Sequence, residues 1–173
     1  MATPSAIHNE PVSAAKVDMK LEVIVIPVAD VDRAKAFYTK LGWRLDADFS
    51  FDNGFRVVQF TPPGSGCSVQ FGTKITTAAP GSAQGLYLIV PDVDAARKEL
   101  VARGIEVSEV FHALKPGAQF RPESEGRVSG PDPGHRSYFH LLRSVTRMAT
   151  PGCSRRSSRA CPDVDSAIWT SQR

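Results

Sequence analysis

The chain has 173 residues, a formal net charge of +3 and 42% apolar residues. This is enough to bury one sizeable core, in one domain or in two small similar halves. No apolar run is long enough to span a membrane, and the start lacks the features of a signal peptide. Three cysteines, an odd number without a CxxC pair, favour a reducing cytoplasm over a disulfide framework.

The N-terminal residues 1–19 lack a periodic apolar pattern. We expect them to form a disordered leader. Met19 directly precedes the first apolar run, so translation starting at Met19 is an alternative hypothesis.

A repeat organises the first two thirds of the chain. The segment ADVDRAKAFYTKLGWRL aligns with PDVDAARKELVARGIEV without a gap, with Asp30 opposite Asp92 and Gly42 opposite Gly104. A repeat at a fixed offset indicates one supersecondary unit used twice.

Each copy predicts a strand followed by a helix. The β-branched run 23–28 is typical of a strand, and the helical spacing of apolar residues begins at Val31 and ends at Gly42. The second copy predicts a strand at 86–90 and a helix over 93–104, and in both copies Asp-Val-Asp can cap the helix N-terminus.

Turn signals divide the rest of the chain. Asn53-Gly54 and Pro62 to Gly66 separate three further predicted strands, at 43–51, 55–61 and 67–73. The second copy continues with a predicted strand at 105–113, and we expect residues 113–133 to form either a lid or a disordered segment. The predicted division is a first βαβββ module at 20–75, a linker at 76–84, a partial second module at 85–138 and a disordered tail at 139–173.

Two β-α-β-β-β modules, the first opening on VIPVADVDRAKAFYTKLGW and continuing with FRVVQFTPPGSGCSVQFG, resemble the vicinal oxygen chelate superfamily. This superfamily includes glyoxalase I, bleomycin-resistance proteins, extradiol dioxygenases and fosfomycin-resistance enzymes. The resemblance covers roughly residues 20–138 and implies an α+β fold whose modules curl into a cup-shaped mixed sheet. It also implies a homodimer.

The metal-dependent members of the superfamily place ligands on the first and fourth strands of each module. The first-strand positions correspond here to Val23 and Gly85, which carry no donor atom, and the fourth-strand position of the first module is Gln70, a poor ligand alone. We therefore expect a cup without a metal or another cofactor.

Strand alternation predicts the residues that line this cup. The pocket is expected to be mostly apolar with a few polar groups, as is usual for a small-molecule site. The predicted lining residues are Val23, Val25, Arg56, Gln59, Ser68, Gln70, Tyr87 and His112. Simpler interpretations stay open, since Gln70 can be a satisfied strand residue, Tyr87 a core residue and His112 a surface histidine.

The tail departs from the family pattern. Residues 131–173 hold seven Lys and Arg but three Asp and Glu, and they lack strand alternation, so we expect the second module to miss its last two strands. We hypothesise a shifted reading frame near 138–140, because GC-rich codons for residues 144–162, read one base early, can give RDPDGNTWLLQEVVTRLP, the expected turn and strand. The scattered arginines then need no nucleic-acid partner.

Two classes of function follow from these expectations. The first is a bleomycin-resistance-like protein that binds a small organic molecule without chemistry. The alternative is a glyoxalase-like lyase or dioxygenase-like enzyme with an atypical site. A truncated product without function is the third possibility, and neither a membrane nor a nucleic acid is an expected partner.

Overall fold

The computed structural model describes residues 17–83, 85–115, 117–118, 126–134, 141–143 and 168–171. Its helices are α1 (Val31–Lys40) and α2 (Val93–Ala102). Its strands are β1 (Val23–Val25), β2 (Arg44–Ser50), β3 (Arg56–Thr61), β4 (Ser68–Thr73), β5 (Tyr87–Val90), β6 (Phe111–Ala113), β7 (Arg127–Ser129), β8 (Leu141–Arg143) and β9 (Ile168–Ser171).

Both helices begin where the repeated Asp-Val-Asp predicts. The Asp30 carboxylate accepts a hydrogen bond from the Arg33 backbone N–H, and the Asp92 carboxylate accepts from the N–H groups of Asp94 and Ala95. These bonds satisfy donors that the first helical turn leaves unpaired. Gly42 and Gly104 follow the two helices with positive φ angles of 78° and 69°, so the predicted helix ends are confirmed.

The strands form two mixed sheets of related topology. The first has the order β1-β4-β3-β2, with β1 parallel to β4, and the second has the order β5-β9-β8-β6-β7, with β5 parallel to β9. Leaving out the edge strand β7, the second sheet repeats the order of the first. The predicted α+β fold with two related modules is confirmed.

The structure corrects two expectations for the second module. Strands β8 and β9 lie in the stretch 139–173, where we expected no strands, and they fill the space between β5 and β6. Such short segments can form strands here because β5 and β6 present backbone N–H and C=O groups that would otherwise lack hydrogen-bond partners. The other tail residues, and residues 1–16 of the expected leader, lie outside the described residues.

The segment after residue 113 also contains a strand. β7 pairs with β6 in an antiparallel hairpin, in which Ala113 is opposite Arg127. The expectation of only a lid or disorder over 113–133 is therefore wrong for these residues.

The hypothesis that the reading frame of the gene is shifted near 138–140 stays a prediction.

One continuous core joins the two modules on the helix side of the sheets. Tyr38 of α1 packs on Phe60 and Phe71, at ring centroid distances of 5.7 Å and 5.3 Å. The same cluster includes Val93 and Leu100 of α2. The opposite face of each sheet is consequently left out of this core.

The ends of the two helices also meet. The Lys40 ammonium donates to the Gly104 carbonyl at 2.6 Å, and the Arg103 guanidinium lies against Gly42. Each module thus places a cation against the glycine that ends the helix of the other. Cations at helix C-termini are favourable because the last carbonyl groups carry partial negative charge.

Gly72 in β4 provides a test of the first sheet. A Cβ atom at this position would lie 1.9 Å from the Arg56 carbonyl oxygen, so Gly72→Ala must displace the backbone of β3. We expect a loss of about 2–4 kcal/mol in the free energy of unfolding, measured by urea denaturation. Gly66→Ala is the control because a Cβ there meets no atom within 4 Å, and it should stay within about 1 kcal/mol of wild type. Equal stability of the two variants would contradict the register of β3 and β4.

Candidate functional site

The register of the first sheet decides which side chains face away from α1. Val58 and Phe60 are fully buried in the core, so the alternate residues Gln59 and Thr61 project from the opposite face. Gln59 pairs with Gln70, and Gln70 pairs with Val25. We call this the open face of the first sheet.

Hydrogen-bonded polar side chains run across the open face. The Gln70 Nε2 atom donates to Gln59 Oε1 at 2.6 Å. The Thr61 and Ser68 hydroxyl groups lie 2.7 Å apart, and Thr61 donates to the Asp46 carboxylate. We call these five residues the polar strip.

The polar strip converges on Asp46. Hydrogen bonds from Thr61 and Arg44, with a smaller contribution from Gln59, hold the pKa of the Asp46 carboxyl below its ordinary value. The carboxylate is therefore charged at neutral pH, and it accepts the hydrogen bond that orients the Thr61 hydroxyl.

Five of the eight predicted lining residues are on this open face. Val23 pairs with Ser68 and Val25 with Gln70, so these four share the face with Gln59. Ser68 is buried and Gln70 is half-buried, while Val25 is exposed. The structure thus brings together two apolar and three polar predicted residues. Their role in ligand binding stays a prediction.

Arg56 lies on the other side of the same sheet. Its guanidinium binds the Asp48 carboxylate at 2.9 Å and the Asp32 carboxylate of α1 at 2.8 Å. The expectation that Arg56 faces the cup is therefore wrong. The physical reason is strand alternation, since Arg56 shares the face of buried Val58, and two carboxylates on that side hold its charge.

In the second sheet, Tyr87 and His112 occupy opposite faces. Tyr87 packs against Phe111 and Leu141, which form a cluster separate from the main core. His112 is the neighbour of Phe111 in β6 and points to the other face, where its Nδ1 atom lies 3.0 Å from the Gly130 carbonyl oxygen. Leu88 and Val90 pack into the main core with α2, so Tyr87 lies on the opposite face, which we call the open face of the second sheet. The expected position of His112 in the cup is contradicted.

Sequence reasoning missed Asp46, Thr61 and Arg127. Alternation from Gln59 could have found Thr61, but Asp46 reaches the face through a register shift between Leu45 and Ala47 that no residue type marks. Arg127 belongs to β7, where strand formation was not expected. Its guanidinium carbon lies 4.7 Å from the centre of the Phe111 ring.

The described residues do not fit a divalent metal ion. They contain no group of three or more His, Cys, Asp or Glu side chains placed to hold one. At the positions that the superfamily resemblance assigns to metal ligands, Val23 and Gly85 have no donor atom, and the Gln70 amide is bonded to Gln59. The polar groups that the polar strip contains are two amides, two hydroxyls and one carboxylate.

Comparison with known proteins agrees with the fold. Residues 23–60 match the family described as bleomycin resistance protein-like N-terminal. An antibiotic binding protein, TnmS3, from Streptomyces sp. CB03234 has a similar structure, with a TM-score of 0.58 and 22% identity over 92% of this chain and 100% of that one. No curated protein gives a significant match.

Two further solved structures are similar. One is a glyoxalase/bleomycin resistance protein from the same Streptomyces strain, with a TM-score of 0.53 and 24% identity over 87% of this chain and 99% of the other. The second is a glyoxalase/bleomycin resistance protein/dioxygenase superfamily member from Sphaerobacter thermophilus DSM 20745, with a TM-score of 0.56 and 20% identity over 90% and 98% of the two chains.

The chain therefore has the fold of the vicinal oxygen chelate superfamily, and the resemblance seen in the sequence is confirmed at this level. The match to the family model spans β1, α1, β2 and most of β3. No helix in the described part of the chain is both long and apolar enough to cross a membrane.

The ion pairs around Asp48 predict a pH-dependent contribution to stability. Hydrogen bonds from Arg56 and Lys35 lower the pKa of Asp48 from 3.8 to about 2. Because the folded-state pKa is the lower one, the stabilisation is present above the unfolded-state pKa and is lost as the pH falls toward 2. We expect Asp48→Asn to cost about 1–2 kcal/mol at pH 7, allowing for solvent screening.

Urea denaturation of Asp48→Asn and wild type at pH 7, 4 and 2.5 measures this contribution. The difference in the free energy of unfolding between the two proteins should be smaller at pH 2.5 than at pH 4. Glu106→Gln, which removes an exposed carboxylate, is the control and should show no comparable change. A difference that stays constant with pH would rule out the charged pairing of Asp48.

Proposed function

We propose that this protein binds a small organic molecule on the open faces of its sheets, as a binding protein of the bleomycin-resistance type that performs no chemistry. The single observation that carries the proposal is the polar strip beside apolar Val23 and Val25. A few oriented polar groups in an apolar surface are typical of small-molecule sites, where they fix the orientation of the ligand. The antibiotic-binding structural neighbour supports the same class of function.

The polar strip is suited to a ligand with amide or carbonyl groups. Gln70 donates through Nε2 to Gln59, which leaves the Gln70 carbonyl oxygen and a Gln59 N–H to interact with a ligand. The hydrogen bond between Gln70 and Gln59 gives both amides a defined orientation. A ligand then loses little entropy in ordering the groups that it contacts.

The proposal includes a homodimer. Val25, Phe49 and Ile89 lie on the open faces and expose 38%, 59% and 56% of their surface. Since the core lies on the helix side of both sheets, a second copy of the chain can cover these residues and close the cup. We also propose that the protein acts in the cytoplasm, in keeping with its three cysteines.

Terephthalamide, a benzene ring with two amides, is a suitable probe for the polar strip. We expect proton–nitrogen correlation NMR to show shifts in the side-chain amide signals of Gln59 and Gln70. Gln70→Leu should weaken binding by roughly tenfold, because it removes one hydrogen bond to the ligand and the partner of Gln59. Shifts confined to the helix side, or the absence of binding, would contradict the proposal.

Thr73→Val is the matched control for Gln70→Leu. Thr73 belongs to the same strand but pairs with Arg56 on the helix side, and it is exposed. We expect it to bind terephthalamide as the wild type does. Thermal unfolding of both variants then separates a lost contact from a lost fold.

The dimer is tested separately by light scattering after size-exclusion chromatography. We expect twice the mass of one chain for the wild type and a single-chain mass for the double variant Phe49→Ser, Ile89→Ser, because the substitutions remove apolar area from the open faces. Val101→Ser is the control, since Val101 is exposed on α2. A monomeric wild type, or dissociation by the control alone, would contradict the proposed arrangement.

A further inference from the structure

An edge of the first sheet is formed by β1, and the apolar alternation of β1 continues back along the chain to Val17. Every odd position from 17 to 25 is apolar, and three of the four even positions between them carry a charge. This alternation is typical of a half-buried strand. In the described part of the chain, however, only Val23–Val25 form a strand, and β4 is its one strand partner. We call residues 17–22 the arm.

The apolar side chains of the arm are exposed. Val17, Met19 and Leu21 expose 69%, 85% and 65% of their surface. A single exposed apolar residue is common on protein surfaces, but a row of them that continues an edge strand indicates a surface that another chain covers. The row also continues the apolar side of the candidate site, because Val23 and Val25 follow it on the open face.

The backbone of β1 offers hydrogen bonds at the same edge. The Glu22 carbonyl accepts from the Ser68 N–H at 2.8 Å, so the even-numbered residues direct their backbone groups toward β4. The odd-numbered residues consequently direct theirs toward the edge, which is a template for pairing with another strand. The other edge strand, β2, has a register shift near Leu45, a feature that protects sheet edges.

A second copy of the chain is complementary to this edge. A two-fold axis perpendicular to the sheet brings two copies together as antiparallel strands, with their open faces on the same side. With the axis at Leu21, the charged residue Lys20 lies opposite Glu22 of the partner subunit, and this pair occurs twice. On the open face, the same register places apolar residues opposite apolar residues, namely Val17 opposite Val25 and Met19 opposite Val23. Opposite charges and apolar pairs across strands are both stabilising.

Neighbouring registers lose the charge pairs. An axis at Lys20 or at Glu22 places each of these charges opposite its own copy, and like charges directly opposite are destabilising. An axis at Val23 places both charges opposite isoleucine residues. Within the described residues, no ion pair within the chain occupies Lys20 or Glu22. The charges therefore remain for a partner, and the axis at Leu21 pairs β1 itself with the arm.

We propose that two copies of this chain join at this edge, where the arm of each copy pairs antiparallel with β1 of the other about an axis at Leu21. This inference rests on the homodimer of the proposed function and specifies its contact. The pairing joins the first sheets of the two copies into one continuous sheet. It also places Met19 of the partner subunit beside Val23, which is opposite Ser68 of the polar strip. Each candidate site is thus completed by a residue of the other copy.

Reversal of the charges tests the pairing. Lys20→Glu and Glu22→Lys each turn both opposite-charge pairs of the dimer into like-charge pairs. We expect the dimer dissociation constant, measured by analytical ultracentrifugation, to rise roughly tenfold in each variant. The double variant Lys20→Glu, Glu22→Lys restores both pairs with the net charge of the wild type, so its dissociation constant should return to within about threefold of the wild-type value.

Asp18→Lys is the matched control for Glu22→Lys. It changes the net charge by the same amount, but Asp18 lies opposite Ile24 of the partner subunit in the proposed register. Its dissociation constant should stay within about threefold of wild type. An effect as large as that of Glu22→Lys would overturn the proposed register, because either overall charge or an axis at Met19 would then explain the results.

A cysteine at the axis tests the position directly. Residues of a hydrogen-bonded antiparallel pair have Cα atoms about 5.5 Å apart, a distance that a disulfide can bridge. We expect Leu21→Cys, in a variant whose three native cysteines are replaced by serine, to give a disulfide-linked dimer on non-reducing electrophoresis after mild oxidation. Lys98→Cys in the same background is the control and should stay unlinked, since Lys98 is exposed on α2.

The outcomes distinguish this inference from the proposed function. If the wild type is a dimer but neither charge reversal nor Leu21→Cys has the expected effect, the arm pairing is wrong and the homodimer stands through another surface. If the wild type is a monomer, the homodimer and the arm pairing fail together. Ligand binding at the polar strip is decided separately by the titration with terephthalamide.

Discussion

The packing of α1 on the first sheet is the interaction on which the rest of the structure depends. Tyr38 contacts Trp43, Phe60 and Phe71 at ring centroid distances between 4.9 Å and 5.7 Å. Aromatic pairs of this kind add to the free energy of burial and fix the face on which a sheet packs. Because strand residues alternate, committing Phe60 and Phe71 to the core also commits Gln59 and Gln70 to the opposite face. Core formation and the candidate site are therefore consequences of the same register.

The same constraint separates charged groups by role. On the helix side, Arg56 joins Asp32 and Asp48 and links α1 to the edge of the sheet. On the open side, Asp46 accepts hydrogen bonds from Thr61 and Arg44. Residues two apart in a strand normally share a face, but the register shift near Leu45 gives these two aspartates of β2 partners on opposite sides of the sheet. Asp48 belongs to the stability of the module and Asp46 to its candidate site.

The sequence could predict the elements that follow local rules. Asp30 and Asp92 cap their helices, and Gly42 and Gly104 end them, because capping and positive φ depend on one residue type and its neighbours. The strands β8 and β9 could not be predicted in this way. Their three and four residues have no pattern of their own, and they become strands because β5 and β6 offer backbone partners that are distant in the chain.

The candidate site shows the same division between local and distant causes. Alternation within β4 and β1 gives the face of Ser68, Gln70, Val23 and Val25. The same rule separates Arg56 from Gln59, because they are three residues apart in β3, so placing both in the cup was inconsistent with it. The position of Arg127 depends on the pairing of β7 with β6, two strands that residues 114–126 separate in the chain. Nothing near it in the sequence indicates that a phenylalanine in β6 lies beneath it. A site built on the open faces of repeated modules can therefore keep a common fold and core while its chemistry changes. The side chains on the open faces are the ones that the core does not constrain, and edge strands such as β7 add groups that the repeat lacks.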